Sequence, residues 1–111
     1  MKKMNENAFL KEFRDLLAID STTGQFREIH NYMVKKIKDL GYECIETRKG
    51  GVLACLGGEG EPLVITAHLD DIGLMVRHIK SDGTLMVCRV GGLHAESALG
   101  ENIRLHTRDG K

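Results

Sequence analysis

The first forty residues carry apolar side chains at the spacing of amphipathic helices. From position 7 onward they recur every three to four residues, which predicts a helix that ends near Ala18. Turn and capping residues interrupt the pattern at positions 20–24, and helical spacing then resumes as far as Gly41, a residue type that commonly follows a helix end. The chain is therefore expected to open with two helices. The apolar positions that define them are Phe9, Leu10, Phe13, Leu16 and Leu17, then Phe26, Ile29, Met33, Ile37 and Leu40.

After Gly41 the pattern changes to that of short strands. Segments 42–48 and 52–56 are rich in β-forming residues and flank a Lys-Gly-Gly turn, which predicts a hairpin. Segment 63–68 begins with the most continuous apolar run of the chain, as is typical of a strand covered on both faces within an α/β sheet. The pattern up to residue 68 thus predicts two helices followed by three strands.

The last forty residues favour β structure throughout. Segments 72–79 and 84–90 flank the turn sequence Lys-Ser-Asp-Gly, which predicts a second hairpin. Residues 103–107 alternate apolar and polar side chains and are expected to form a further strand, followed by an Asp-Gly turn signal. Because no returning strand follows that signal, we expect the chain to be the N-terminal portion of a longer protein.

Composition and charge exclude several classes of function for this chain. Sixteen Lys plus Arg balance sixteen Asp plus Glu, which argues against a nucleic-acid or anionic-membrane partner. The three cysteines are an odd number with no CxxC pair, so neither a disulfide framework nor a structural zinc site is indicated. No apolar run approaches the roughly 18 residues that a membrane span needs. We therefore predict a cytoplasmic protein.

The end of segment 63–68 carries the candidate chemistry. His68 and Asp70 are two residues apart, so in extended backbone both side chains point to the same side. The Asp70 carboxylate can then accept one imidazole N–H while the other ring nitrogen faces a metal ion. The alternative interpretation of the pair is a turn-initiating Asp beside a partly exposed His. Asp71 could neighbour the metal site or cap the turn before the next strand, and the turn role is favoured. The gathering of two acidic residues at a sheet edge favours a nearby cation.

The decapeptide at 67–76, Ala-His-Leu-Asp-Asp-Ile-Gly-Leu-Met-Val, resembles the signature of the tetrahedral aminopeptidases. These are the glutamyl and deblocking aminopeptidase family of co-catalytic metallopeptidases, some of whose members carry an endoglucanase or cellulase label. The resemblance extends in order over nearly the whole chain. Its other parts are the loop 21–24 with Glu28, the turn 49–52, the segment 90–93 and the stretch 103–110.

The resemblance implies a role for each member of the pair. His68 would be a ligand of one of two zinc or cobalt ions, and Asp70 would be the carboxylate that orients it. The implied reaction is two-metal hydrolysis that removes N-terminal residues from peptides. The remaining ligands and the Glu general base would lie downstream of Lys111, so the 111-residue chain alone is expected to be inactive.

The chain departs from the family pattern at several positions. Thr22 and Thr23 stand where the family usually has Pro-Ser, Gly51 where it has Asn, and Asp71 where Glu is common. None of these departures removes the pair of His68 and Asp70.

The resemblance also implies an architecture. The fold class is α/β: residues 1–70 would be the N-terminal part of an α/β/α sandwich domain, and residues 71–111 would begin a β-barrel-like insertion domain. That insertion would mediate self-association, so a homo-oligomer is expected.

Two other readings remain open. The chain could be a complete non-catalytic dimerisation or binding module related to the peptidase, or part of a protein labelled endoglucanase or cellulase. Glycoside hydrolysis needs two carboxylates that flank a sugar, and the adjacent Asp70 and Asp71 would point to opposite faces of a strand. No role is assigned to the other histidines, which are His30, His78, His94 and His106.

Overall fold

Two helices open the chain, as the apolar spacing predicts. The computed structural model describes residues 5–109, with α1 at Glu6–Leu17 and α2 at Arg27–Asp39. The Asn5 side chain accepts a hydrogen bond from the Ala8 amide at 3.2 Å and so caps α1. Gly41, with a φ of 87°, terminates α2 in the left-handed region that favours glycine. Neither helix is long and apolar enough to cross a membrane.

Polar contacts join the two helices. Tyr32 donates a hydrogen bond to Glu12, and Lys36 Nζ lies 2.6 Å from Glu12 Oε1 and 2.9 Å from Oε2. Ile29, on α2, is only 3% exposed. Among the described residues, Ile29 is the one apolar residue that is buried, so the core is small.

The first predicted hairpin is confirmed, with shorter strands. Strands β1, Cys44–Glu46, and β2, Val52–Ala54, pair antiparallel with Ile45 opposite Leu53. Thr47 closes the turn: its amide donates to the Gly51 carbonyl at 2.8 Å, and its hydroxyl accepts from the Gly51 amide at 2.8 Å.

The second predicted hairpin is also confirmed. Strands β3, Gly73–Ile79, and β4, Leu85–Val90, pair antiparallel, with a register shift between Val76 and His78. At the turn, Asp82 Oδ1 accepts from the Thr84 amide at 2.9 Å and from the Thr84 hydroxyl at 2.7 Å.

Two strand predictions are wrong for the structure as described. Segments 63–68 and 103–107 are not in strands, and no strand within residues 5–109 pairs with either of them. A strand requires a hydrogen-bonded neighbour, and the apolar side chains at 63–65 instead lie 75–85% exposed. A short 3₁₀ helix, Ala95–Ala98, lies between the second hairpin and segment 103–107. The predicted Asp-Gly turn at 109–110 lies partly outside the described residues.

The structure is a mixed fold of helices and small antiparallel sheets. Its contacts divide the chain into two units, with the boundary after Asp71. The first unit contains α1, α2 and the β1–β2 hairpin, and the second contains the β3–β4 hairpin. The candidate pair of His68 and Asp70 lies in the first unit.

Candidate metal-binding site

The structure brings His68 and Asp70 into contact, as their spacing predicts. His68 Nδ1 lies 3.2 Å from Asp70 Oδ1 and 3.0 Å from the Asp70 backbone carbonyl oxygen. Both oxygens act as acceptors, because a carbonyl oxygen and an ionised carboxylate have no proton to donate. The geometry therefore favours an imidazole that carries its proton on Nδ1.

That proton placement determines which ring nitrogen can bind a metal. In a neutral imidazole with its proton on Nδ1, the lone pair is on Nε2. The His68 side chain is 87% exposed, so Nε2 is accessible. A carboxylate that holds the distal N–H of a histidine is the usual arrangement around zinc ligands in proteins. The pair has the chemistry of a ligand with its orienting carboxylate, and its role in metal binding stays a prediction.

Thr23 is a third member of the site that the sequence patterns did not identify. Its hydroxyl donates to Asp70 Oδ2 at 2.7 Å across 47 positions of sequence. A backbone bond supports this approach, because the Asp71 amide donates to the Ser21 carbonyl at 3.0 Å. Thr22 and Asp71 form an isolated parallel bridge. The loop between α1 and α2 is thus fastened beside the candidate ligand pair.

One indirect signal for Thr23 is present in the sequence. The loop at 21–24 resembles the Pro-Ser-Gly region of the family, but nothing in its local pattern indicates a hydrogen bond to Asp70. Only the folded chain shows this hydrogen bond. We call the two contacts that join Thr23 to Asp70 and Asp70 to His68 the Thr23–Asp70–His68 relay.

The surroundings of Asp70 keep its carboxyl ionised. The hydrogen bond from Thr23 has the largest effect and lowers the pKa of Asp70 below its ordinary value. Partial burial opposes this effect, while the Asp70 amide and the neighbouring His68 add to the lowering of the pKa. Asp70 is therefore a carboxylate at neutral pH, as the orienting role requires.

The described residues supply one candidate metal ligand rather than a complete site. Zinc sites in proteins commonly have about four ligands, of which catalytic sites leave one position open. Within residues 5–109, no group of three or more His, Cys, Asp or Glu side chains could hold a metal ion. The buried Nε2 atom of His30, which has no hydrogen-bond partner among the described residues, lies 3.5 Å from Glu46 on β1. The relay therefore supplies one candidate ligand, and a metal centre at His68 would need further ligands.

Comparison with known proteins identifies relatives of this chain. It is 36% identical over 100 residues to "Putative aminopeptidase YhfE" of Bacillus subtilis, covering 88% of this chain and 29% of that protein. It is 36% identical over 83 residues to lysyl aminopeptidase of Pyrococcus furiosus, covering 75% and 24%. It is 31% identical over 99 residues to glutamyl aminopeptidase of Lactococcus lactis subsp. cremoris, covering 86% and 28%.

The matches identify the family and show how much of each relative's length this chain covers. The chain spans about a quarter to three tenths of the length of these curated relatives. The family model described as M42 glutamyl aminopeptidase matches residues 50–111, which include both His68 and Asp70. That match covers more than half of the chain, and the chain belongs to the M42 glutamyl aminopeptidase family.

Proposed function

We propose that this chain is the N-terminal portion of a metal-dependent aminopeptidase that hydrolyses N-terminal residues from peptides. The observation that carries the proposal is the His68–Asp70 contact, which leaves Nε2 of His68 available as a ligand, in a chain of the M42 family. Relatives named as lysyl and glutamyl aminopeptidases support peptides as the substrate class.

The chemistry of the relay suits this function. His68 would hold one of two divalent ions, zinc or cobalt, through Nε2. When bound, such ions activate a shared water and polarise the scissile carbonyl. Asp70 keeps the Nδ1 proton in place and so makes Nε2 the stronger ligand. The general base and the remaining ligands would come from segments outside this chain.

The architecture of the whole protein is part of the proposal. Residues 1–70 would belong to an α/β/α sandwich. The exposed apolar side chains at 63–65, including Leu63 and Ile65 at 85%, support this idea, because such a run needs neighbouring elements to cover it.

Residues 71–111 would begin a β-barrel-like insertion that mediates self-association into a homo-oligomer. The two-stranded β3–β4 sheet supports this, because its outer edges are unpaired within the described residues and such edges recruit further strands. We also place the protein in the cytoplasm, with no nucleic-acid or membrane partner, in keeping with its balanced charge.

The 111-residue chain by itself is predicted to hydrolyse no peptide. One ligand cannot assemble a two-metal site, and the described residues contain no cluster that could supply the others. The purified chain should therefore give the background rate with an aminoacyl chromogen in the presence of zinc or cobalt. Robust metal-dependent release of the chromogen would contradict this prediction.

The full-length gene product tests the proposed function. It should hydrolyse some members of a panel of aminoacyl chromogenic substrates, and a chelator should abolish that activity. Activity that survives complete metal removal would contradict the proposal. A lack of activity toward every member of the panel, with a metal bound, would favour a non-catalytic binding module instead.

A further inference from the structure

We propose that Thr23 is a positioning residue for metal binding, because its hydroxyl fixes the Asp70 carboxylate, which in turn fixes the His68 imidazole. The inference rests on the proposed function, since it requires His68 to bind a divalent metal. It assigns a task to the loop between α1 and α2, which lies outside the His68–Asp70 pair.

The two oxygens of Asp70 are divided between two partners. Oδ2 accepts from Thr23 at 2.7 Å, while Oδ1 lies 3.2 Å from Nδ1 of His68. Rotation of the carboxylate would lengthen at least one of these contacts. The Asp70 side chain is 49% exposed, so packing alone does not hold it in one rotamer. The Thr23 hydroxyl supplies the second point of attachment.

Thr23 is presented from a loop that is itself anchored. The Asp71 amide donates to the carbonyl of Ser21, a buried residue, at 3.0 Å. The Gln25 amide donates to the Thr22 carbonyl at 2.7 Å and closes a turn around Thr23. These bonds fix the backbone on both sides of Thr23 and bring its hydroxyl to Asp70.

The hydroxyl is not used for the more common local task of such a residue. Threonines before a helix often cap its first turn. Here the N-cap residue of α2 is Phe26, which makes no side-chain capping bond, and Thr23 donates to Asp70 instead. The contact therefore links the loop to the candidate ligand pair rather than to the following helix.

The test measures zinc affinity rather than activity alone. The full-length protein is stripped of metal, and its Kd for Zn²⁺ is determined by competition with a chromophoric chelator. The variants are Thr23→Val, which removes the hydroxyl at constant shape, Thr23→Ser, which keeps it, and His68→Ala. Thr84→Val makes the same chemical change at an exposed threonine of the second hairpin, whose hydroxyl also donates to a carboxylate, that of Asp82. Thr23→Ala replaces Thr23→Val if the latter does not fold.

The expected result separates the hydroxyl from the rest of the side chain. Direct partners of metal ligands typically contribute 10- to 100-fold in affinity, so loss of the more distant Thr23 hydroxyl should raise the Kd by about 3- to 10-fold. Thr23→Ser and Thr84→Val should stay within about twofold of the unaltered protein. Thermal unfolding of the metal-free Thr23→Val variant should remain close to that of the unaltered protein, since the contact is at an exposed carboxylate.

The outcomes distinguish this inference from the proposed function. If His68→Ala weakens zinc binding but Thr23→Val does not, the positioning role is overturned and the function stands. Equal weakening by Thr23→Val and Thr23→Ser would also overturn it, because the hydroxyl would then be irrelevant. If His68→Ala leaves zinc affinity unchanged, both the metal role of His68 and the inference fail.

Discussion

At the scale of single residues, Asp70 is the centre of the site. It contacts His68 through one carboxylate oxygen and Thr23 through the other, and its pKa is lowered chiefly by the Thr23 hydroxyl. The depressed pKa means that the carboxylate is present throughout the neutral range, in which an orienting acceptor is needed. The ionised carboxylate and the Asp70 backbone carbonyl, at 3.2 Å and 3.0 Å from Nδ1, together favour a proton on that nitrogen of His68.

Replacement of the carboxylate by an amide tests that role. Asp70→Asn in the full-length protein should lower metal affinity or kcat/KM by about 10- to 100-fold, because the amide is a weaker acceptor for the imidazole proton. The matched change Asp39→Asn removes a carboxylate that pairs with Lys35 on the exposed surface of α2. It should leave metal affinity unchanged. Equal effects of the two substitutions would contradict a specific role for Asp70.

At the scale of elements, polar contacts hold α1 against α2. The hydrogen bond from Lys36 has the largest lowering effect on the pKa of Glu12, and the bond from Tyr32 has the next largest. In turn, the bonds to Glu12 are the main cause of the raised pKa values of Lys36 and Tyr32. The three groups stabilise one another only while Glu12 is ionised and Lys36 and Tyr32 keep their protons.

The pH dependence of stability follows from the directions of these pKa shifts. Because the folded pKa of Glu12 is depressed, its contribution is present above its ordinary pKa and is lost as the pH falls through the depressed value. For Lys36, whose folded pKa is raised, the contribution is lost as the pH rises through the raised value. Glu12→Gln should therefore lower the Tm by a few degrees at most near neutrality, with a smaller difference in strong acid and strong base. A Tm difference that is independent of pH would contradict this account.

A glycine in the first hairpin turn provides a second test at this scale. Gly50 has a φ of 81°, and an added Cβ would lie 2.9 Å from Cζ of Phe26 and closer still to Cε2. Gly57 has a nearly equal φ of 79° but open space around it. Gly57→Ala should cost about 1–2 kcal/mol from backbone strain alone. Gly50→Ala should cost about 1 kcal/mol more, because the Phe26 ring must also move. Equal free energies of unfolding for the two variants would show that the ring does not restrict this position.

At the scale of the whole molecule, sequence patterns predict what is local. Both helices and both hairpins follow from periodicity and turn residues, because their hydrogen bonds join residues close in sequence. The His68–Asp70 contact is equally local, since it spans two residues. These parts of the fold and site could be anticipated without a structure.

Features that depend on distant segments were not predictable in the same way. The apolar run at 63–68 has the composition of a central strand, but a strand also needs partners, and the described residues provide none. The bond from Thr23 to Asp70 joins residues 47 positions apart, and no periodicity specifies such a pair. Propensity indicates what a segment favours, whereas pairing depends on what lies beside it.

We propose above all that His68 of this M42-family chain is one metal ligand of an aminopeptidase. The most direct measurement is the rate of aminoacyl chromogen release by the full-length protein after chelation and readdition of Zn²⁺ or Co²⁺. The unaltered protein and a His106→Ala control should regain activity at micromolar metal, whereas His68→Ala should not. Full recovery of activity and metal content by His68→Ala would contradict the claim.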